Sequence, residues 1–320
     1  DEVIVPTFTF VASFEAILDV GAVPVFADID ESLCLNPSSV AQKITSRTKA
    51  IMPVHMCGNI AELNALKQLC EQHQLWLIED ACQSIGGTYA DKYVGTYGDL
   101  GCFSFDYVKT ITCGEGGAVV TASQELATKL DAYQDHGHDH LGADRGADKH
   151  PIMGFNYRIS ELNAAVGVAQ LQKFDAIFEA QHQYYALLKT TLKNIPGIQF
   201  TSIPEQAKPG AGFLNILLPD EALALKAVVA LKQSGVEAFF YWYNNAWHYI
   251  KAWNHLREAA LPQGLSQVQH KAIESQFEAG FSASDTVMSR CISFLTKIGH
   301  NEAQQKQRAQ HIAQVLESVL

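Results

Sequence analysis

No Cys-x-x-Cys pair occurs among the seven cysteines, which stand at 34, 57, 70, 82, 102, 113 and 291. Their scatter and odd number exclude a disulfide framework and the common zinc motifs, and suit reduced thiols in the cytoplasm. Positive charge is also scarce: 23 Lys and Arg stand against 34 Asp and Glu, for a net charge of -11. A chain of that sign is poorly suited to a nucleic-acid backbone or an anionic membrane surface. No apolar run approaches the ~20 residues of a membrane-spanning helix. The opening Asp1-Glu2 lacks the basic segment and apolar stretch of a secretory signal. Charged residues make up 18% and hydrophobic ones 48%, the balance of a folded globular chain. Its 320 residues suffice for one large domain and a smaller second one.

What is present alternates. "VIVP" (3–6), "VPVFADI" (23–29), "KAIMPVH" (49–55) and "LWLIED" (75–80) read as strands, each apolar on both faces. Between the first two, Phe10, Phe14, Ile17 and Leu18 mark a helix that Gly21 ends. Between the third and fourth, Asn59 and Glu62 mark a helix start, with Ile60, Leu63, Leu66 and Leu69 along one face. Doubly apolar strands alternating with helices indicate an α/β fold with a mostly parallel sheet covered on both sides. "GCFSF" and "GAVVT" add two more strands, and the polar stretch 134–154 reads as an exposed loop. Its "HGHDH" histidines (His136, His138, His140) have no second ligand cluster nearby, so no metal is expected. From Ser160 an apolar pattern at three- and four-residue steps predicts one helix running as far as Leu192. The remainder reads as α+β: a strand near Phe213–Leu218, a helix over 220–234 and a strand from Val236. The expected division is a large domain over 1–185 and a small C-terminal domain over 186–320.

Ligands of an open parallel sheet bind beyond the carboxyl ends of its strands. Asp80 closes one such strand, Gln83 follows within a turn, and Lys109 lies in the connection after another. Singly, an aspartate there is a helix cap and a lysine there is a solvated loop residue. Together they match what pyridoxal phosphate needs: a carboxylate for its ring nitrogen and an amine for its aldehyde.

"DEVIVPTFTFVAS", "GAVPVFADID", "IEDACQSIGG", "GCFSFDYVKTITCGEGGAVVT" and "GFNYRISELNAAVGVAQLQ" carry a resemblance to the DegT/DnrJ/EryC1/StrS sugar aminotransferases. These are fold-type I enzymes dependent on pyridoxal 5'-phosphate. The resemblance runs in order over residues 1 to about 180 and is looser beyond. It implies that Lys109 bonds to the cofactor aldehyde and then moves the substrate proton, with Asp80 paired to the ring nitrogen. It also implies that Gln83 hydrogen-bonds the ring's phenolic oxygen, that Phe10 stacks on the ring and that Ser104 donates to the phosphate. Asn156 would reach the phosphate of a neighbouring subunit, making the active site shared within a homodimer. Arg158 would bind phosphate or a substrate carboxylate. The bland readings of these residues are core for Phe10, a satisfied strand hydroxyl for Ser104, a helix cap for Asn156 and a surface ion pair for Arg158. The family's Ser-Gly-Thr phosphate loop and its helix have no counterpart here. Either that segment is missing from this sequence or the chain binds the cofactor weakly.

Because Lys109 is not replaced by histidine, as it is in the family's deoxygenating members, the resemblance implies transamination. Glutamate would be the amino donor and a keto or aldehyde sugar the acceptor, in ping-pong fashion. The aromatic segment 238–256, with Trp242, Trp247 and Trp253, either packs the small domain or shapes a sugar pocket. With "KTITCGEGG" and "SDTVMSRCIS" it is similar to transaminases that make the 8-amino sugar of some lipopolysaccharides from an 8-oxo derivative of 3,8-dideoxy-octulosonate. An acidic sugar would call for a basic pocket residue, with Arg158, His248 and Lys251 as candidates. The competing expectations are a nucleotide-linked keto-hexose as substrate and a non-catalytic, cofactor-binding regulator. A nicotinamide enzyme is disfavoured, because "GEGG" neither fits G-x-G-x-x-G nor follows the first strand.

Overall fold

The computed structural model describes residues 1–142, 144–147, 149–258, 264–296 and 299–320. In chain order the first half forms β1 (Glu2–Pro6), α1 (Val11–Asp19), β2 (Val23–Ala27), α2 (Pro37–Lys43), β3 (Thr48–Ile51), α3 (Leu63–His73) and β4 (Trp76–Asp80). A short hairpin, β5 (Thr88–Tyr89) and β6 (Lys92–Tyr93), precedes β7 (Leu100–Ser104), β8 (Gly117–Val120) and α4 (Gln124–Gln134). Then follow α5 (Glu161–Leu171), α6 (Phe174–Leu192), β9 (Gln199–Phe200), β10 (Ala207–Lys208), β11 (Phe213–Leu217), α7 (Glu221–Gln233) and β12 (Phe239–Phe240). The chain ends with α8 (Asn254–Arg257), α9 (Gln267–Ala279), α10 (Ser282–Met288), β13 (Cys291–Leu295) and α11 (Glu302–Glu317).

The six-stranded sheet runs β2-β1-β3-β4-β7-β8. All its pairs are parallel except β7–β8. Parallel strands need long crossovers, and α1, α2 and α3 supply them; the short connection 105–116 allows only the antiparallel return of β8. Successive residues of β1 point to opposite faces, so Val5 enters one core with Phe14, Ile17 and Phe26 while Ile4 enters another with Val40, Leu66 and Leu77.

The aromatic segment packs against the first of these faces. Trp242, Tyr249 and Trp253 join Val5, Phe14 and Phe26 in one cluster. It therefore covers the large sheet and also packs on the smaller one, where Trp242 Nε1 donates to the Ser293 hydroxyl of β13 at 2.8 Å. The second sheet, β12-β13-β11-β9, packs with α6, α7 and α11 around Leu188, Ile216, Leu231, Phe294 and Ile312. Positions 180–190, where a domain boundary was expected, lie inside α6.

Two local expectations need correction, and one helix was not foreseen. The helix expected from Ser160 to Leu192 is two helices, interrupted at Gln172–Lys173. α5 buries none of its residues, while α6 buries Tyr184, Leu188 and Leu192; the apolar pattern continues through the break because each helix has its own stripe. Asn59 does not cap α3. Its Nδ2 instead donates to the Ser32 carbonyl and the Thr201 hydroxyl, at 2.7 and 3.0 Å, a buried cross-link that no local pattern reveals. α4 lacks an apolar stripe, burying only Ala132, and periodicity missed it. In the loop expected over 134–154, positions 143 and 148 lie outside the described residues.

Candidate active site

Phe10, Asp80 and Ser104 follow or end β1, β4 and β7, so the sheet delivers all three to its carboxyl edge. Asp80 is half-buried. Its Oδ2 accepts the Ser13 hydroxyl at 2.8 Å and its Oδ1 accepts the Cys82 N–H at 3.1 Å. Ser13 lies in turn 2.6 Å from the buried Thr9 hydroxyl. Two local bonds therefore orient a carboxylate that makes no ion pair among the described residues.

Lys109 is half-buried on the connection between β7 and β8, its N–H bonded to the Asp106 carbonyl at 3.0 Å. The ammonium makes no ion pair or hydrogen bond among the described residues. Its surroundings show in what its charge perturbs. Burial raises the Cys82 thiol, Asp80 raises it further and Lys109 counteracts. The lysine and the aspartate thus both act on Cys82. Burial, with the Lys109 charge second, pushes the His248 imidazole down to about 4, so it is neutral near pH 7. His248 Nδ1 lies 2.9 Å from Asn245 Oδ1. Since an amide oxygen only accepts, Nδ1 carries the proton and Nε2 presents a lone pair.

The returning aromatic segment is pinned to the start of α1. Thr9 N–H donates to the His248 carbonyl, Val11 N–H to that of Trp247, and Ile250 N–H to that of Thr7, at 2.9, 3.0 and 3.1 Å. Phe10 is consequently parallel to Trp247, ring centroids 5.7 Å apart, and 5.4 Å from His248.

Pyridoxal phosphate fits this donor set. Gln83 Oε1 accepts the Cys57 N–H at 3.1 Å, and its Nε2 has no partner among the described residues. Among the described residues the Ser104 hydroxyl accepts only a long contact, 3.4 Å from the Asp106 N–H, so its proton is available to an anion. An unpaired amine, an oriented carboxylate, an amide donor, a hydroxyl donor and an aromatic ring are the groups that would hold the cofactor's aldehyde, ring nitrogen, phenolic oxygen, phosphate and face.

Asn156 and Arg158 are exposed on the strand-like stretch whose Asn156 bridges to Asp135. The Arg158 guanidinium pairs with the Asp135 carboxylate. Lys251 is exposed, its Nζ 3.8 Å above the Tyr243 ring. Of the basic candidates, His248 is the one that packs beside Phe10. His140 of the histidine-rich stretch lies between Asp131 and Asp135, at 2.7 and 3.1 Å.

Sequence reading missed Ser13, which is not among the apolar residues that mark α1, and the pair behind Asp80. Glu79 and His55 are both fully buried. Glu79 accepts the N–H groups of Gly95, Tyr97 and Gly98 at 2.8, 2.7 and 2.7 Å, and meets His55 Nε2 at 3.0 Å. His55 Nδ1 accepts the Ala61 N–H at 3.2 Å, so Nε2 is the protonated nitrogen that donates to Glu79. A charge inside an apolar strand was the available signal.

Comparison with known proteins gives the chain's family and fold relatives. The model of the DegT/DnrJ/EryC1/StrS aminotransferase family matches residues 1–307. GDP-perosamine synthase of Vibrio cholerae is 43% identical over 200 residues, which cover 61% of this chain and 53% of that protein. UDP-N-acetyl-3-dehydro-alpha-D-glucosamine 3-aminotransferase of Acidithiobacillus ferrooxidans is 43% identical over 168 residues, 52% of this chain and 44% of that protein. The match thus spans about half the length of these curated relatives. Among solved structures, an aminotransferase from Psychrobacter cryohalolentis superposes with TM-score 0.82 at 25% identity, covering 100% of this chain and 82% of that one. The fold is that of the pyridoxal-phosphate aminotransferases, and the chain belongs to the DegT/DnrJ/EryC1/StrS aminotransferase family.

Proposed function

We propose that this chain is a pyridoxal-phosphate-dependent transaminase that moves the amino group of glutamate to a nucleotide-linked keto-hexose. The observation that carries the reading is that Asp80 ends β4 and Ser104 ends the adjacent parallel β7, with Lys109 on the connection that follows, at the carboxyl edge of the sheet. Bound pyridoxal phosphate supplies an electron sink for the charge left when a carbon–hydrogen bond breaks beside the nitrogen. The chain's own groups do the rest. Lys109 Nζ takes up and returns that proton. Asp80 keeps a negative oxygen facing the ring nitrogen, steadied by Ser13 and Cys82. Gln83, Ser104 and Phe10 hold the phenolic oxygen, phosphate and ring face. His248 offers its Nε2 lone pair to a sugar hydroxyl.

Relatives named for GDP-perosamine and for a UDP-linked dehydro-sugar favour a nucleotide sugar over the octulosonate that the aromatic segment suggested. In this reading residues 1–185 form the cofactor-binding part and 186–320 the smaller part. The enzyme is a cytoplasmic homodimer that makes an amino sugar for lipopolysaccharide, with Asn156 crossing to the neighbour's phosphate site and Arg158 beside it. The exposed apolar face of α5, with Leu162, Val166 and Leu171 outward, supports the pairing of two copies. Among the described residues no helix is long and apolar enough to cross a membrane.

The test supplies full-length protein, pyridoxal phosphate and ¹⁵N-amino-labelled glutamate with either a nucleotide-linked keto-hexose or the 8-oxo octulosonate. The proposal expects label in an amino-hexose product. Label in the octulosonate alone would overturn the substrate, and label in neither would leave a cofactor-binding regulator.

A further inference from the structure

Asn163 is half-buried on the protein-facing side of α5. Its Nδ2 donates to the Cys113 and Glu115 carbonyls, each at 2.9 Å, in the turn that follows Lys109. The amide's orientation is dictated at its other end. The Ser160 hydroxyl lies 2.6 Å from Oδ1 and accepts the Asn163 N–H at 3.2 Å. A hydroxyl has one proton, which goes to the amide oxygen, so the nitrogen must face the two carbonyls. The asparagine is thereby fastened to the first turn of α5 and spans the glycine between its two targets.

That glycine, Gly114, has φ +87°, a conformation that places no restraint of its own on the turn. Other bonds hold the rest of the segment. Cys113 N–H donates to the Phe105 carbonyl at 2.9 Å, and Gly114 N–H to the Thr112 hydroxyl at 3.0 Å. Beyond Cys113 the turn is exposed at Gly114 and Glu115, and the bond from Asn163 is what ties it to a helix.

We propose that Asn163 is a positioning residue for Lys109, stapling the Cys113 and Glu115 carbonyls to α5 so that the connection 105–116 holds the amine toward Asp80. The consequence for turnover rests on the transaminase reading above; the consequence for the turn does not. Without the staple the two carbonyls bond to water, the glycine turn regains its freedom, and the amine is correctly placed for less of the time. Losses of this kind fall on kcat more than on substrate affinity.

The test compares full-length wild type with Asn163→Asp, which keeps the shape but cannot donate, and Asn163→Gln, which can. Amide hydrogen exchange over 110–117, read without cofactor or substrate, should speed up roughly tenfold or more in Asn163→Asp, with the strands of the large sheet unchanged. With cofactor, kcat should fall roughly tenfold while KM for glutamate stays within about threefold, and Asn163→Gln should recover part of both effects. Exchange and kcat of Asn163→Asp within about twofold of wild type would overturn the inference. If Asn163→Asp does not fold, Asn163→Ala reads the same exchange with the same two outcomes. The exchange effect in Asn163→Asp beside a wild type that transaminates nothing would sink the functional reading and leave the staple standing.

Discussion

At the scale of single residues, His248 and Asp80 carry the account. Burial and the Lys109 charge hold the His248 imidazole near 4 in the folded chain, against about 6.5 unfolded. Between those values the unfolded chain binds more protons, so stability is full above pH ~6.5 and is lost as pH falls toward ~4. The loss is on the order of 3 kcal/mol. Urea unfolding at pH 7.5, 6 and 5 should show this slope in wild type and a shallower one in His248→Gln; equal slopes would contradict the neutral, buried imidazole. Asp80→Asn keeps the shape of the side chain and loses its charge. Turnover should fall roughly 100- to 1,000-fold, with folding intact by circular dichroism. A variant within tenfold of wild type would remove Asp80 from the site. Both residues could be singled out from the chain alone, since charge at a strand end and histidine in an aromatic run are local signals. Ser13 and Asn163 could not, because their roles arise only when α1 and α5 meet segments distant in sequence.

At the scale of elements, β4 ends in two adjacent carboxylates with opposite duties. Asp80 points to the site, and Glu79, on the other face, ties β4 to the 95–98 turn and to His55. Burial raises the Glu79 carboxyl, but the His55 bond with the Gly98 and Gly95 N–H groups more than offsets this and leaves it below the ordinary value. Its stabilising effect is therefore present above the unfolded carboxylate pKa and lost as pH falls through the lower folded one. Glu79→Ala strands several buried donors, so unfolding free energy should drop by about 3–5 kcal/mol; a loss below about 1 kcal/mol would mean the cluster is replaceable. The parallel strands and α1, α3 and α7 were legible because doubly apolar runs and three- and four-residue steps are local properties. The break between α5 and α6 was not, since a change of direction leaves the apolar rhythm uninterrupted.

At the scale of the whole molecule, the aromatic segment returns from the far end of the sequence to cover the large sheet, and this sets the environment of Lys109. Composition could show that the segment is apolar, but not which sheet it covers, because that depends on where the chain turns back. α5 is the counterpart on the outside: Leu162 is 82% exposed and Leu171 51%. Paired substitution of Leu162 and Val166 by Asp should turn a dimer into monomers in analytical ultracentrifugation and abolish turnover if the site is shared. An unchanged dimer would place the subunit contact elsewhere. The central claim is that Lys109 is the amine that joins the cofactor. Its most direct test is to incubate full-length protein with pyridoxal phosphate, reduce with borohydride and map the modified peptide by mass spectrometry. The account predicts a pyridoxyl group on Lys109 and none after Lys109→Ala. A label on some other lysine, with Lys109 untouched, would contradict it.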